Sequence, residues 1–267
     1  VLGYEEYFKN IYKLQIEGYY KDLKNLLTYE ETSSTTDSDL SDDNLADILT
    51  PADGYAYGFE IFGQKMTGDL SGWIAYTFSV SRKIMNSIFE DGEEEYYTNW
   101  DRTHALSILG NYQINKKWET NWRLALQSGQ AYTPILGYYV QKFPESPEEI
   151  FRTIPGSRNS GRYKPYSRLD IGAVYHAKIG KTNVDFFFQI INTFNRSNTF
   201  RKTYSLGSPY NGLDDDGDWD EDLHDANGNG KPDVGETNVD ESDEGKINER
   251  SIGLFPILPT FGFTWEF

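Results

Sequence analysis

Cysteine is absent from the 267 residues, which removes both a disulfide framework and any thiolate metal site. The histidines, His104, His176 and His224, are scattered and form no zinc-binding spacing. No apolar run approaches the roughly 18 residues of a membrane-spanning helix. The opening stretch V-L-G-Y-E-E-Y-F lacks the basic and apolar regions of a secretory signal. Nucleophile motifs and phosphate-cradling glycine loops are also missing, and no local pair of carboxylates suggests acid–base work, so no enzyme is expected. Basic charge is scarce, with 25 Lys and Arg against 42 Asp and Glu and a net charge of −17. The acidity is concentrated in two stretches. Between Asp214 and Glu244 lie 14 acidic residues against Lys231 alone, and residues 28–54 hold 8 acidic residues with no Lys or Arg. No nucleic-acid partner is expected of such loops.

What the chain has instead is aromatic residues, 16% of the total and 20 of them Tyr, beside only 37% hydrophobic content. They fall at every second position. Phe261, Phe263, Trp265 and Phe267 alternate with Gly262, Thr264 and Glu266, a strand with one aromatic face. The same alternation predicts strands over 1–8, 12–21, 55–65, 70–82, 105–114, 118–127, 166–177 and 183–195, the last continuing to 204. Together with the closing stretch 257–267 this makes about nine strands. Short turns at 9–10, 66–69, 115–117 and 179–181 alternate with long connections at 28–54, 86–103, 128–165 and 205–250. The third connection, with five prolines, reads as irregular. Opposite the aromatics stand Glu17, Lys21, Glu60, Glu119, Arg123, Arg168, Asp170 and Asp185. Those charges would be costly in a dry core and suit a wet lumen. Segregated loop lengths and this split between faces predict an all-β, antiparallel transmembrane β-barrel with long outer loops. With the last strand ending at the short-turn rim and an odd strand count, residues 1–267 are expected to be the C-terminal part of a larger barrel.

Several stretches, in order, are similar to strands of TonB-dependent outer-membrane receptors. They are L-Q-I-E-G-Y-Y-K from Leu14, G-Y-A-Y-G-F-E-I from Gly54 and L-S-G-W-I-A-Y-T-F-S from Leu70. N-W-D-R-T-H from Asn99, L-Q-S-G-Q-A-Y-T from Leu126, Y-S-R-L-D-I from Tyr166 and N-T-F-N-R from Asn192 follow. P-T-F-G-F-T-W-E-F closes the series and resembles the terminal signature read by the barrel-assembly machinery. The resemblance implies a bacterial outer-membrane location and a wide, plugged barrel in contact with outer-membrane lipid. It also implies energy-coupled import of a scarce nutrient, and partners comprising N-terminal barrel strands, a plug domain and TonB itself. The TonB-contacting box and the plug have no counterpart in these residues.

One stretch points to a metal. D-A-N-G-N-G-K-P-D-V-G-E carries the oxygen ligands of a calcium loop in Asp225, Asn227, Asn229, Asp233 and Glu236. Gly230 permits the bend and Lys231 would offer its backbone carbonyl. Asp214, Asp216, Asp218, Asp220 and Asp222 alternate just before it and form a second candidate set. Calcium there would be structural, offsetting the self-repulsion of the loop at about 205–250. Asp101 and Arg102 read as a rim ion pair rather than a catalytic one. Tyr132, Tyr138, Tyr139 and Trp219 supply loop aromatics without identifying a ligand. Two other readings compete with a transporter. One is a non-transporting outer-membrane barrel, an adhesin or assembly scaffold, whose calcium loop meets a surface lipoprotein or other outer-membrane protein. The other is a soluble calcium-binding β-domain.

Overall fold

A computed structural model describes residues 1–29, 49–86, 92–142, 149–206 and 247–266. Among these there is no helix; every regular element is a strand. The described residues fall into two units, of which the first comprises Val1–Pro134, Pro155–Thr199 and Gly253–Phe267. It is built on one antiparallel sheet. Nine strands lie along its path in the order β1 (Leu2–Phe8), β2 (Tyr12–Tyr29), β3 (Leu49–Lys65), β4 (Leu70–Asn86), β6 (His104–Gln113), β7 (Trp118–Gln127), β12 (Tyr166–Ile179), β13 (Thr182–Ile191) and β16 (Leu258–Glu266). Each strand pairs with the next along the chain, apart from strands inserted in the long connections. One of these, β5 (Glu93–Tyr97), pairs with the far end of β4.

Register converts the alternation within each strand into two continuous faces. Phe263 is opposite Phe186, and Phe186 is opposite Tyr175. Tyr175 faces Trp118, Trp122 faces Gly110, Ile108 faces Ile74, and Tyr76 faces Ile61. Ile61 in turn faces Ile16 and Ile16 faces Tyr4. One apolar face therefore runs across all nine strands. It is exposed: Phe261 is 89% accessible, and Tyr20, Phe263 and Trp265 are all more than half exposed. Buried apolar residues are few among those described, namely Ala52, Met85, Tyr96, Ala125, Ala131 and Val184. Hydrophobic surface on this scale is rarely left in water by a monomeric soluble protein.

Chemistry along the apolar face changes with height. Phe8, Tyr12, Tyr112, Trp118, Tyr175 and Trp265 lie toward the short-turn end, and the rings of Trp118 and Tyr175 are 4.8 Å apart. Aliphatic Leu14, Ile16, Ile74, Ile108, Leu124 and Ile171 occupy the middle. Tyr20, Tyr55, Tyr57 and Phe78 follow, with Tyr20 and Tyr55 stacked at 6.5 Å. Beyond Tyr20, Tyr57 and Val80 the same face turns polar at Asp22 and Arg82.

The opposite face carries the polar set. Glu17 is opposite Glu60, Arg123 opposite Asp170, and Asp185 opposite His176. All eight charged residues expected there occupy it. Polar groups are paired along it: Lys13 with Glu5 at 3.0 Å and Arg168 with Asp170 at 2.8 Å as ion pairs, and His176 Nδ1 with Asp185 at 2.8 Å by a hydrogen bond.

The structure corrects four expectations. The strand expected over 183–204 is broken, because Asn192 and Asn195 take φ of 53° and 48° and turn the chain out of the sheet. β13 ends at Ile191, and β14 (Thr199–Leu206) pairs instead with β15 (Ile247–Gly253). The connection 128–165 is ordered by nested pairs: β8 (Ala131–Tyr132) with β11 (Gly161–Arg162), and β9 (Ile135–Lys142) with β10 (Glu149–Pro155). Residues 49–54 and 22–29 belong to β3 and β2, which pair to Tyr29 and Leu49 past a bulge between Leu23 and Leu26. Finally, β5 inserts a strand into 86–103, where only a loop was expected. The second unit comprises Ile135–Ile154 and Phe200–Ile252 and contains the β9–β10 and β14–β15 ribbons.

Candidate functional site

Strands of the main sheet that are joined by short turns at one end open into long connections at the other. There the chain cannot be held by turn geometry, and side chains hold it. Asp101 is central: its side chain is fully buried, and its Oδ1 accepts the Ser81 N–H at 2.8 Å. Its Oδ2 lies 2.6 Å from Nη2 of Arg162. Arg162 donates through Nη1 to the carbonyls of Asp101 and Gly129, at 2.9 and 3.2 Å. The guanidinium also lies 4.4 Å from the centre of the Tyr97 ring, which Arg82 approaches at 3.7 Å. The ion pair expected within N-W-D-R-T-H therefore forms, but with Arg162 in place of Arg102. Arg102 points elsewhere, donating to Gln127 and, at 3.1 Å, to Gln130.

This rim joins sequence stretches that are far apart in the chain. The His104 N–H donates to the Ser128 hydroxyl at 2.9 Å, and the Ser128 N–H returns to the His104 carbonyl at 2.8 Å. At Gly129 a Cβ would overlap the Tyr163 carbonyl, so only glycine allows this approach. Tyr132 stacks on Tyr163 with centroids 4.5 Å apart. A second latch lies at the end of β13. Asn192, 1% exposed, donates its N–H to Asp170 at 2.9 Å and its Nδ2 to the carbonyls of Arg196 and Phe255 at 3.0 and 2.9 Å. Asn198 exchanges two hydrogen bonds with the Ser167 backbone. Thus Y-S-R-L-D-I is tied to N-T-F-N-R, and N-W-D-R-T-H to L-Q-S-G-Q-A-Y-T.

Where the polar face meets this rim there is a cavity of about 170 Å³. Thr28, Lys83, Tyr96, Thr98, Trp100 and Arg158 define its chemistry. Arg158 donates to the Thr28 hydroxyl at 3.3 Å and to the Tyr96 hydroxyl at 3.2 Å, with its guanidinium 4.8 Å from the Tyr96 ring centre. Lys83 donates to the Leu27 carbonyl at 3.1 Å and lies 5.7 Å from the Trp100 ring centre. Lys83 stands beyond the apolar band. Burial pushes its ammonium below the usual lysine range, and the positive charge of Arg158 adds to that shift. Thr98 is 3% exposed, and its hydroxyl has no hydrogen-bond partner among the described residues. These positions come from four separate parts of the chain, and no local sequence signal marks them as a group.

The residues expected to bind calcium, Asp214, Asp216, Asp218, Asp220, Asp222, Asp225, Asn227, Asn229, Lys231, Asp233 and Glu236, lie outside the described residues. Among the described residues no cluster of three His, Cys, Asp or Glu side chains is placed to hold a metal ion. His104 accepts or donates a hydrogen bond at 2.9 Å with the Tyr76 hydroxyl, on the face opposite the cavity. No protein-family model matches the chain, and no curated protein matches it.

Proposed function

We propose that this chain is part of the wall of an outer-membrane receptor barrel of the TonB-dependent kind, taking up a nutrient ligand with energy supplied from the inner membrane. The observation that carries the reading is the register of nine strands, which gathers aromatic and aliphatic side chains on one exposed face and charges on the other. Aromatic residues at two heights with aliphatic residues between them match the girdles of a bilayer-spanning barrel. β1 and β16 stand at the two ends of the sheet path. An open strand edge is not tolerated in hydrocarbon, so this reading requires both edges to be paired in the assembled wall. The ordered motifs that resemble the receptor family support the choice among barrels. Calcium bound by residues 214–236 would order the acidic connection at about 205–250.

The test is depth-resolved tryptophan quenching in lipid vesicles. Brominated acyl chains are expected to quench Trp122 and Trp265, which lie on the apolar face, and to spare Trp73 on the polar face. Equal quenching of both sets by aqueous acrylamide, with none by the lipid, would sink the membrane reading. Uptake by the assembled receptor should stop when the inner-membrane gradient is collapsed; uptake that continues would remove energy coupling. Calorimetric titration with calcium tests the acidic connection separately, and a flat titration would remove the metal.

A further inference from the structure

On the apolar face, toward the short-turn end, lies a groove of about 470 Å³. Tyr12 and Leu14 bound it on one side, and Ile108 and Trp122 on the other. Gly63, Gly72 and Gly110, on the neighbouring strands β3, β4 and β6, form its floor. Packing explains two of these glycines. A Cβ at Gly72 would overlap the Leu109 carbonyl, and one at Gly110 would run into the Trp122 ring. Gly63 is different. Its φ is not positive, and a Cβ there would touch only Cγ2 of Ile74 at 3.5 Å, an ordinary contact. The sheet does not need glycine at 63; the groove does. Its end toward the short turns is charged. Lys65 lies on the same face two residues beyond Gly63, opposite Tyr12 and Gly72, and lines the groove. Its Nζ lies over the turn to β4, 3.6 Å from where a Cβ of Gly68 would stand. Among the described residues it has no ion-pair partner. Glu6, two strands away, accepts a hydrogen bond from the Tyr4 hydroxyl. The short turns carry Lys9, Lys116, Lys117 and Lys181 against Asp69 alone, in a chain whose net charge is −17.

We propose that this groove is a binding site for one anionic phospholipid, with an acyl chain along the glycine floor and the phosphate at Lys65. The presence of lipid here rests on the membrane reading; the fixed place and the preferred headgroup go beyond it. The groove is of the size of ligand pockets, roughly 300–1,000 Å³. In hydrocarbon the gain from filling it is packing, because a gap forfeits the dispersion contacts of Leu14, Ile108 and Trp122. Lys65 supplies the selection. Its methylenes cover the end of the groove while its ammonium reaches headgroup level. A lysine held near a membrane surface favours an anionic lipid by about fivefold. The turn lysines concentrate such lipids along the rim, but that attraction alone requires neither glycine at 63 nor a gap in the wall.

The test is photo-crosslinking in the assembled receptor, reconstituted in phosphatidylcholine vesicles. A trace of phosphatidylglycerol, or of phosphatidylcholine, carries a diazirine in its acyl chain, and labelled peptides are mapped by mass spectrometry. Residues 63–74 and 108–122 report the groove. Residues 258–266, in the strand at the far end of the sheet path, report bulk lipid. The ratio of phosphatidylglycerol to phosphatidylcholine labelling should be about fivefold higher at the groove than at 258–266. Unlabelled phosphatidylglycerol should compete for the groove and saturate it. Gly63→Leu, which fills the groove, should abolish the preference and leave labelling of 258–266 as before. Lys65→Gln should lower the preference about fivefold, whereas Lys116→Gln, in a turn off the groove, should leave it nearly unchanged. If Gly63→Leu does not assemble, the comparison of Lys65→Gln with Lys116→Gln decides. Equal headgroup ratios at the two places would overturn the site. So would a preference that survives Gly63→Leu, or one that falls as far with Lys116→Gln as with Lys65→Gln, since a basic rim alone would then account for it. Labelling without headgroup preference removes the site and leaves the membrane reading intact, whereas no labelling anywhere on the apolar face would sink both.

Discussion

At the short-turn rim the chain reverses on local chemistry. Lys9 and Asn10 take φ of 51° and 52°, Gly180 takes 64°, and the Asn115 side chain accepts the N–H groups of Lys117 and Trp118 at 2.8 and 3.1 Å. At the long-connection rim the corresponding bonds join residues far apart in sequence. Arg162 reaches Asp101 across 61 positions and Asn192 reaches Phe255 across 63. The first rim closes hairpins as they form, whereas the second can be fastened only after distant strands have met. It is fastened by buried polar side chains, each satisfied by several partners. That arrangement gives a stiff platform at the end of the polar face where the cavity lies.

If this contrast holds, substitutions at the two rims should differ in cost and in reach. Asp101→Ala should be the most damaging. It strips Arg162 of its buried carboxylate and Ser81 of its acceptor, and should cost about 3 kcal/mol in urea unfolding of the reconstituted protein. Because Arg162 retains partial exposure and two carbonyl acceptors, a larger loss is not expected. A cost below about 1 kcal/mol would mean that the rim is held elsewhere. Asn192→Ala should come next, at about 2 kcal/mol, by removing its side-chain hydrogen bonds and leaving φ 53° to alanine, which tolerates the left-handed region less well than asparagine. Asn192→Gly separates the two causes. It relieves the backbone term and leaves the hydrogen-bond loss, so it should recover about 1 kcal/mol. Gly180→Ala, at the other rim, should cost only about 1 kcal/mol, because a Cβ there meets open space and pays for φ alone. Hydrogen exchange would show the reach: Asp101→Ala should expose amides in β4, β8 and β11, while Gly180→Ala should affect only β12 and β13.

The contrast also explains what could be read from the residues. The two faces were legible because alternation has a period of two, and Trp118, Trp122 and Leu124 against Glu119, Asn121 and Arg123 leave one consistent choice. Short turns were legible for the same local reason. At the other rim the signal is non-local. Residues 49–54 look like loop by composition, yet Thr50 and Ala52 find strand partners in Thr28 and Leu26. F-F-F-Q-I-I gives no warning that Asn192 will turn away, because what holds that turn is Asp170 on another strand. The Asp101 partner was missed since Arg102 is adjacent in sequence, whereas Arg162 arrives only when β8 and β11 pair. Lys83, Thr98 and Arg158 share no spacing that a sequence pattern would detect.

The smallest predicted effect is also the sharpest check on locality. The β1–β2 turn uses two left-handed residues in succession, and the Ile11 N–H closes it onto the Phe8 carbonyl at 3.0 Å. Lysine is poorly suited to φ 51°, whereas asparagine tolerates that conformation. Lys9→Asn should therefore stabilise the protein by about 0.5 kcal/mol. Because the turn bonds only to its own hairpin and, through the Ile11 carbonyl, to Met66 at 2.8 Å, the gain should stay at this rim. Amide protection around Asp101 should be unchanged. A shift there would show that the two rims are coupled through the strands and that the division into a locally held end and a latched end is too simple.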